Sequence, residues 1–135
     1  MFGNKMKKMK EEKKMKFYYN GKKVRESKTH EYKYAAISTK TGKVLKCSAT
    51  KEGAQEIINR YISERENEIK TCENILRAIE TGAKSFYVVC GRKTEYCKLK
   101  EFHTIENTKE RIESCKKAIE NILTTWKVVE LEARA

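Results

Sequence analysis

A chain of 135 residues that is 37% charged, carries a formal net charge of +12 and contains no proline can build one modest hydrophobic core without a Pro-rich linker. No apolar run approaches the roughly 20 residues of a membrane span. The N-terminus also lacks the apolar stretch of a secretory signal, so the sequence places the chain in the cytoplasm and off the membrane.

The charge is mostly a property of one end. Ten of the 31 Lys and Arg residues fall within the first 25 positions against two acids, while the remaining 110 residues hold 21 bases and 17 acids. Within that end, residues 1–14 read either as a translated leader, with the protein proper starting at Met15, or as a basic arm that orders on a polyanion. The leader reading rests on Lys10-Glu11-Glu12-Lys13-Lys14, which a purine-rich ribosome-binding run can encode just upstream of the Met15 codon. It lowers the net charge to +8, because residues 1–14 hold six bases and two acids. Residues 15–135 then read as a single α+β domain. The intact mass of the protein made from its own gene decides between the two: the leader predicts a mass counted from Met15, and a mass that includes residues 1–14 contradicts it.

Asn20-Gly21 is the strongest short turn signal, because the dipeptide tolerates the positive φ angles of a tight hairpin. It lies between Phe17-Tyr18-Tyr19 and Lys22-Lys23-Val24. A second hairpin follows, with Glu31 to Ser38 and Lys43 to Cys47 as strands around Thr39-Lys40-Thr41-Gly42. From Lys51 to Thr81 the apolar period becomes helical, with Ser48 or Thr50 as cap and Gly82 as stop. The charge-dense centre from Ser63 to Glu68 predicts a kink, or a stretch that projects to meet a partner.

Lys84 to Cys90 and Glu95 to Leu99 form a third hairpin, a helix runs from about Asn107 or Thr108 to Thr124, and Trp126 to Leu131 closes the chain as a strand. The fold class is therefore α+β: an antiparallel sheet of hairpins with two helices on one face. The order hairpin, helix, hairpin, helix suggests a ββα pseudo-repeat about 51 residues apart by the offset from Ile37 to Val88.

Chemistry-bearing motifs are scarce. The sequence has no P-loop, dinucleotide fingerprint, H-E-x-x-H, EF-hand loop or nucleophile elbow. Cys47, Cys72, Cys90, Cys97 and Cys115 are odd in number and include no C-x-x-C pair, which reads as structural thiols without a metal or cofactor. Cys97 and His103, six apart, form the one conceivable nucleophile–base pair. The sequence predicts a binding protein and no catalytic residues.

Phosphate binding needs cations on one face, and single-stranded nucleic acid adds aromatics that stack on bases. Residues 16–25 interleave both types, and Lys22, Lys23, Arg25, Lys28, Lys33, Lys43 and Lys46 outline a basic face on the N-terminal hairpins. The alternative is that Phe17, Tyr18, Tyr32 and Tyr34 are core or sheet-face residues and the lysines solubilise edge strands. Arg is scarce beside Lys, and Lys offers point charge where Arg offers bidentate base contacts, so binding of this kind is largely nonspecific. On the long helix, Tyr61, Arg65 and Glu68 are the candidates for a protein partner.

The stretch from Phe17 to Ala35, FYYNGKKVRESKTHEYKYA, resembles the opening of small proteins of prophages and mobile elements in low-GC Gram-positive bacteria, and Trp126 to Arg134 is similar to their ends. The two stretches cover about a fifth of the chain. The resemblance implies a short, Lys-rich, stoichiometric binder carried by a mobile genome, and the basic face of the hairpins makes nucleic acid or a nucleoprotein complex the expected partner. Within that class it also implies an anti-CRISPR-type inhibitor of a host defence nuclease, acting by protein–protein binding.

Overall fold

Asn20 and Gly21 take φ angles of 51° and 75°, the left-handed pair a two-residue hairpin turn needs. They fold β1 (Met15–Tyr19) onto β2 (Lys22–Ser27). The computed structural model describes residues 14–91 and 93–134, so the segment 1–14, apart from Lys14, lies outside the described residues. The chain divides into two compact units, one built from the N-terminal part to Ile58 together with the C-terminal strands from Thr125, the other from Asn59 to Thr124.

The first unit holds two three-stranded antiparallel sheets. One has the order β2-β1-β8, with β8 at Glu132–Arg134; the other has β3 (Tyr34–Ser38) between β4 (Val44–Ser48) and β7 (Trp126–Glu130). The α+β class expected from sequence holds, with the hairpins distributed over separate small sheets. The C-terminal stretch, expected as one strand, divides at Leu131. Its N–H donates to Lys33 O at 2.8 Å and its half-buried side chain joins the core, so the flanking strands pair in different sheets.

That core packs Ala35, Ile37 and Cys47 with Tyr19, Val24, Tyr32, Val44, Val129 and Leu131. Phe17 is fully buried and meets Tyr32 edge to face at a centroid distance of 5.5 Å. Both ladders carry a bulge: Val24 has no partner between the Phe17–Arg25 and Tyr18–Lys23 pairs, and Leu45 none between Ala36–Lys46 and Ile37–Val44.

Helix α1 (Lys51–Thr81) runs unbroken through its charge-dense centre. Thr50 caps it, its Oγ1 accepting from Gly53 N–H at 3.0 Å. Gly82, at φ 74°, ends it, and Ala83 N–H closes back on Ala78 O at 2.9 Å. In the second unit α1 is followed by the two-stranded sheet of β5 (Ser85–Cys90) and β6 (Lys93–Lys98), then by α2 (Ile105–Thr125). Helix α2 starts earlier than its apolar period suggests because Thr104 is its cap, accepting from Asn107 N–H at 3.1 Å.

Ile75, Ala78 and Phe86 centre the apolar core of this unit, with Ile79, Val88, Cys97 and Leu99 around them. A polar seam on α1 closes the outer edge of β5: Thr71 Oγ1 accepts from Val89 N–H at 2.8 Å and donates to Asn67 O at 3.0 Å, and Asn74 Nδ2 donates to Tyr87 O at 3.1 Å. Thr71 is buried, so Thr71→Val should leave the Val89 N–H without its acceptor and cost about 1–3 kcal/mol. Thr71→Ser should retain most of the stability. Urea unfolding of the two variants checks the order; equal stabilities would contradict it.

Candidate functional site

All seven cations singled out from the sequence are exposed and belong to the first unit. Lys22, Lys23 and Arg25 lie on β2, an edge strand of its sheet, and Lys46 on β4, an edge strand of the other. Lys28 follows β2, Lys33 precedes β3, and Lys43 closes the turn before β4, its C=O accepting from Ser38 N–H at 3.0 Å.

The pairing register splits the β2 cations between two faces. Lys23 stands opposite Tyr18, on the side shared with Lys16 and Glu26, whereas Lys22 and Arg25 stand opposite Tyr19 and Phe17. Lys23 Nζ lies 2.6 Å from Glu26 Oε1, which holds the ammonium above its ordinary pKa and the carboxyl below its own. Arg25 places its guanidinium 4.7 Å from the Tyr32 ring centre, and Arg134 does the same to Tyr18 at 4.6 Å.

The interleaved aromatics are thereby engaged. Phe17 is buried, Tyr18, Tyr32 and Tyr34 are half-buried, and Tyr32 is flanked by Phe17, Arg25 and His30. What this unit offers a partner is positive charge: 13 bases stand against 6 acids in residues 14–58 and 125–134, a net +7. Residues 59–124 hold 13 bases and 11 acids, a net +2.

In the second unit, α1, the 99–104 connection and α2 enclose a cavity of about 640 Å³ lined by Arg65, Glu68, Phe102, His103, Arg111 and Cys115, among others. Arg65 and Glu68, candidates for a protein partner from the sequence, line this cavity, and Glu68 is a junction. Its carboxylate accepts from Arg65 Nη1 at 3.4 Å, Arg111 Nη2 at 3.2 Å and Cys115 Sγ at 3.1 Å. Tyr61, the third candidate, is exposed and does not line this cavity.

The thiol hydrogen bond, followed by Arg111 and Arg65, holds the Glu68 carboxyl below the usual range, against the opposing effect of burial. Burial, followed by the neighbouring carboxylate, pushes the Cys115 thiol up to about 11. A thiol held that high stays protonated at neutral pH. Burial, then Arg111 and Lys100, lowers the His103 pKa. Its Nδ1 accepts from Lys100 N–H at 2.9 Å, which leaves the neutral ring's proton on Nε2.

The Cys97–His103 pair conceivable from sequence is differently occupied. Cys97 Sγ lies 3.7 Å from Lys98 O, and His103 packs on Phe86 and Phe102 at centroid distances of 5.0 and 4.3 Å. Cys47, Cys72 and Cys115 are buried, Cys97 is half-buried and Cys90 is exposed. Among the described residues no group of three or more His, Cys or Glu side chains is placed to hold a metal ion, and no helix is long and apolar enough to cross a membrane.

Sequence reasoning missed Arg111, Cys115 and Phe102 as cavity residues. The four-residue step from Arg111 to Cys115 puts them on one helix face, but their meeting with Glu68, more than forty positions earlier, has no local signature. Comparison with family models, with curated proteins and with solved structures finds no match to this chain.

Two measurements test the junction. A carboxyl whose pKa is depressed on folding stabilises the protein above its ordinary value of 4.5, and that contribution is lost as pH falls through the folded value. Glu68→Gln should therefore lower Tm at pH 7, with the gap to the parent narrowing under acid; a gap independent of pH would contradict the ionised junction. Iodoacetamide at pH 8 should modify exposed Cys90 well before Cys115, which should react only on unfolding. Equal rates would mean that the Cys115 thiol is accessible and ionisable in the folded chain.

Proposed function

We propose that this chain is a non-catalytic binding protein whose N-terminal, basic unit contacts nucleic acid or a nucleoprotein through phosphate groups. The observation that carries the reading is the net +7 of residues 14–58 and 125–134, with Lys22, Lys23, Arg25, Lys28, Lys33, Lys43 and Lys46 all exposed on or beside the strands of that unit. Cations held on folded strands displace condensed counterions from a polyanion, and that release drives binding without reference to base sequence. The covering of Phe17 and Tyr32 argues against base stacking along this strip, so duplex and single strand should be bound with similar affinity. The Lys23–Glu26 pair reduces what Lys23 contributes, which places more of the contact on Lys22, Lys43 and Lys46.

A second reading, the anti-CRISPR-type inhibitor of a host defence nuclease carried by a phage or mobile element, draws on a different observation. The exposed large apolar side chains Tyr61, Tyr87, Tyr96, Phe102, Ile105 and Leu123 all belong to the other unit, where a protein partner would find them.

Fluorescence anisotropy with short duplex DNA, single-stranded DNA and RNA tests the first reading. Affinity should fall steeply between low and physiological salt for all three. The triple variant Lys22→Glu, Lys43→Glu, Lys46→Glu should bind at least tenfold more weakly than the parent, whereas Lys109→Glu and Lys117→Glu on α2 should change little. Salt-insensitive binding, or a triple variant that binds like the parent, would sink the phosphate reading. The second reading expects inhibition of a purified defence nuclease that saturates at one equivalent and persists in the triple variant.

A further inference from the structure

The β5–β6 sheet treats its two edges differently. The edge at β5 is closed by α1, whose Thr71 and Asn74 satisfy Val89 N–H and Tyr87 C=O. Those bonds also identify which residues point their backbone groups away from the hairpin. Residues opposite one another in an antiparallel ladder share a hydrogen-bonding class. Tyr96 stands opposite Tyr87 and Lys98 opposite Ser85, so both direct their N–H and C=O away from β5, along the outer edge of β6. Among the described residues nothing pairs with the Tyr96 N–H or C=O, and Lys98 C=O meets only the Cys97 thiol at 3.7 Å.

This bare edge continues into an aromatic face. Tyr87 and Tyr96 lie with ring centroids 3.7 Å apart yet are 44% and 63% exposed. A two-stranded sheet is marginal by itself, and an unpaired edge is a template for another strand.

We infer that the outer edge of β6 is a dimerisation edge, where a second copy of this chain adds its own β6 to form a continuous four-stranded antiparallel sheet. This goes beyond the nucleic-acid reading and does not depend on it. A two-fold axis makes the added strand antiparallel, and only registers centred on a residue keep outward groups opposite outward groups. Within β6 only centring on Glu95 or on Tyr96 overlaps five residues of each strand, and centring on Glu95 sets two carboxylates opposite each other, which is unfavourable. Centring on Tyr96 sets Tyr96 beside its counterpart and Glu95 opposite Cys97 of the second copy, extending the tyrosine pair into a row of four. The three central residues of that register carry no cation. The unit that carries β6 is also nearly neutral, at +2 against +7 for the other, so two copies meet there with little repulsion.

Sedimentation of the full chain across a concentration series tests this. The mass should rise from 15.8 kDa toward twice that value, with the Tyr96 and Lys98 amides exchanging at least tenfold more slowly in the dimer. A monomer at every concentration, or a dimer whose Tyr96 amide exchanges as in the monomer, would overturn the proposal. Tyr96→Pro removes an N–H that the β5–β6 ladder does not use, and should return the chain to monomer with an unchanged circular dichroism spectrum. A folded Tyr96→Pro dimer would again overturn it. If that variant fails to fold, Glu95→Cys in a Cys90→Ser background provides a second test. Oxidised glutathione should link it to Cys97 of the second copy, and a protein that stays unlinked contradicts the register.

Discussion

One face of α1 holds the second unit together. Glu68, Thr71 and Asn74 follow one another along that face at helical spacing, and each satisfies a group on another element: Arg111 and Cys115 on α2, then the Val89 N–H and Tyr87 C=O on β5. Cys72, Ile75 and Ala78 are buried along the same helix. The apolar residues provide the area, and the polar ones fix which elements pack there, because a backbone group left unpaired beside buried Thr71 is costly. The exposed edge of β6 follows from this seam: the helix closes one side of a two-stranded sheet and leaves the other open.

The same seam determines what the cavity beside α2 can do. A carboxylate that accepts from two guanidinium groups and a thiol is stabilised as an anion, and burial, then this carboxylate, raises the thiol pKa in turn. The cluster therefore ties the two helices of this unit together through Glu68 and Arg111. The first unit is organised differently. There Phe17, Tyr32, Ala35 and Ile37 fill the interior, and Lys22, Lys23, Arg25 and Lys46 lie on edge strands, where they discourage strand addition. Among the described residues, charge and large exposed apolar side chains are thus assigned to different units, +7 over residues 14–58 and 125–134 in one, and Tyr61, Tyr87, Tyr96, Phe102, Ile105 and Leu123 in the other.

Much of the fold was legible in the sequence because its signals are local. Asn20-Gly21 specifies a turn by backbone sterics alone, and Gly82 ends a helix for the same reason. The period from Ala54 to Ile79 marks α1 along its length. The division of strands between sheets was not legible, since it depends on Leu131 meeting Lys33 across nearly a hundred residues. The cations could be listed from sequence, but not their surroundings: a one-residue bulge at Val24 shifts which face Lys23 and Arg25 occupy, and Tyr32 lies under a guanidinium. Glu68 shows the limit most clearly. On a charge-dense stretch of helix it reads as a solvated acid, and only the return of α2 makes it a junction.

The central claim is that the N-terminal sheets, and not the cavity unit, meet the nucleic acid. An ¹H–¹⁵N spectrum of the full chain titrated with a short oligonucleotide tests it residue by residue. The account predicts shifts concentrated on the amides of Lys22 to Lys28 and Lys33 to Lys46, with those of residues 59–124 unmoved. Shifts centred on Arg65, Phe102 and Arg111, or none at any ratio, would contradict it.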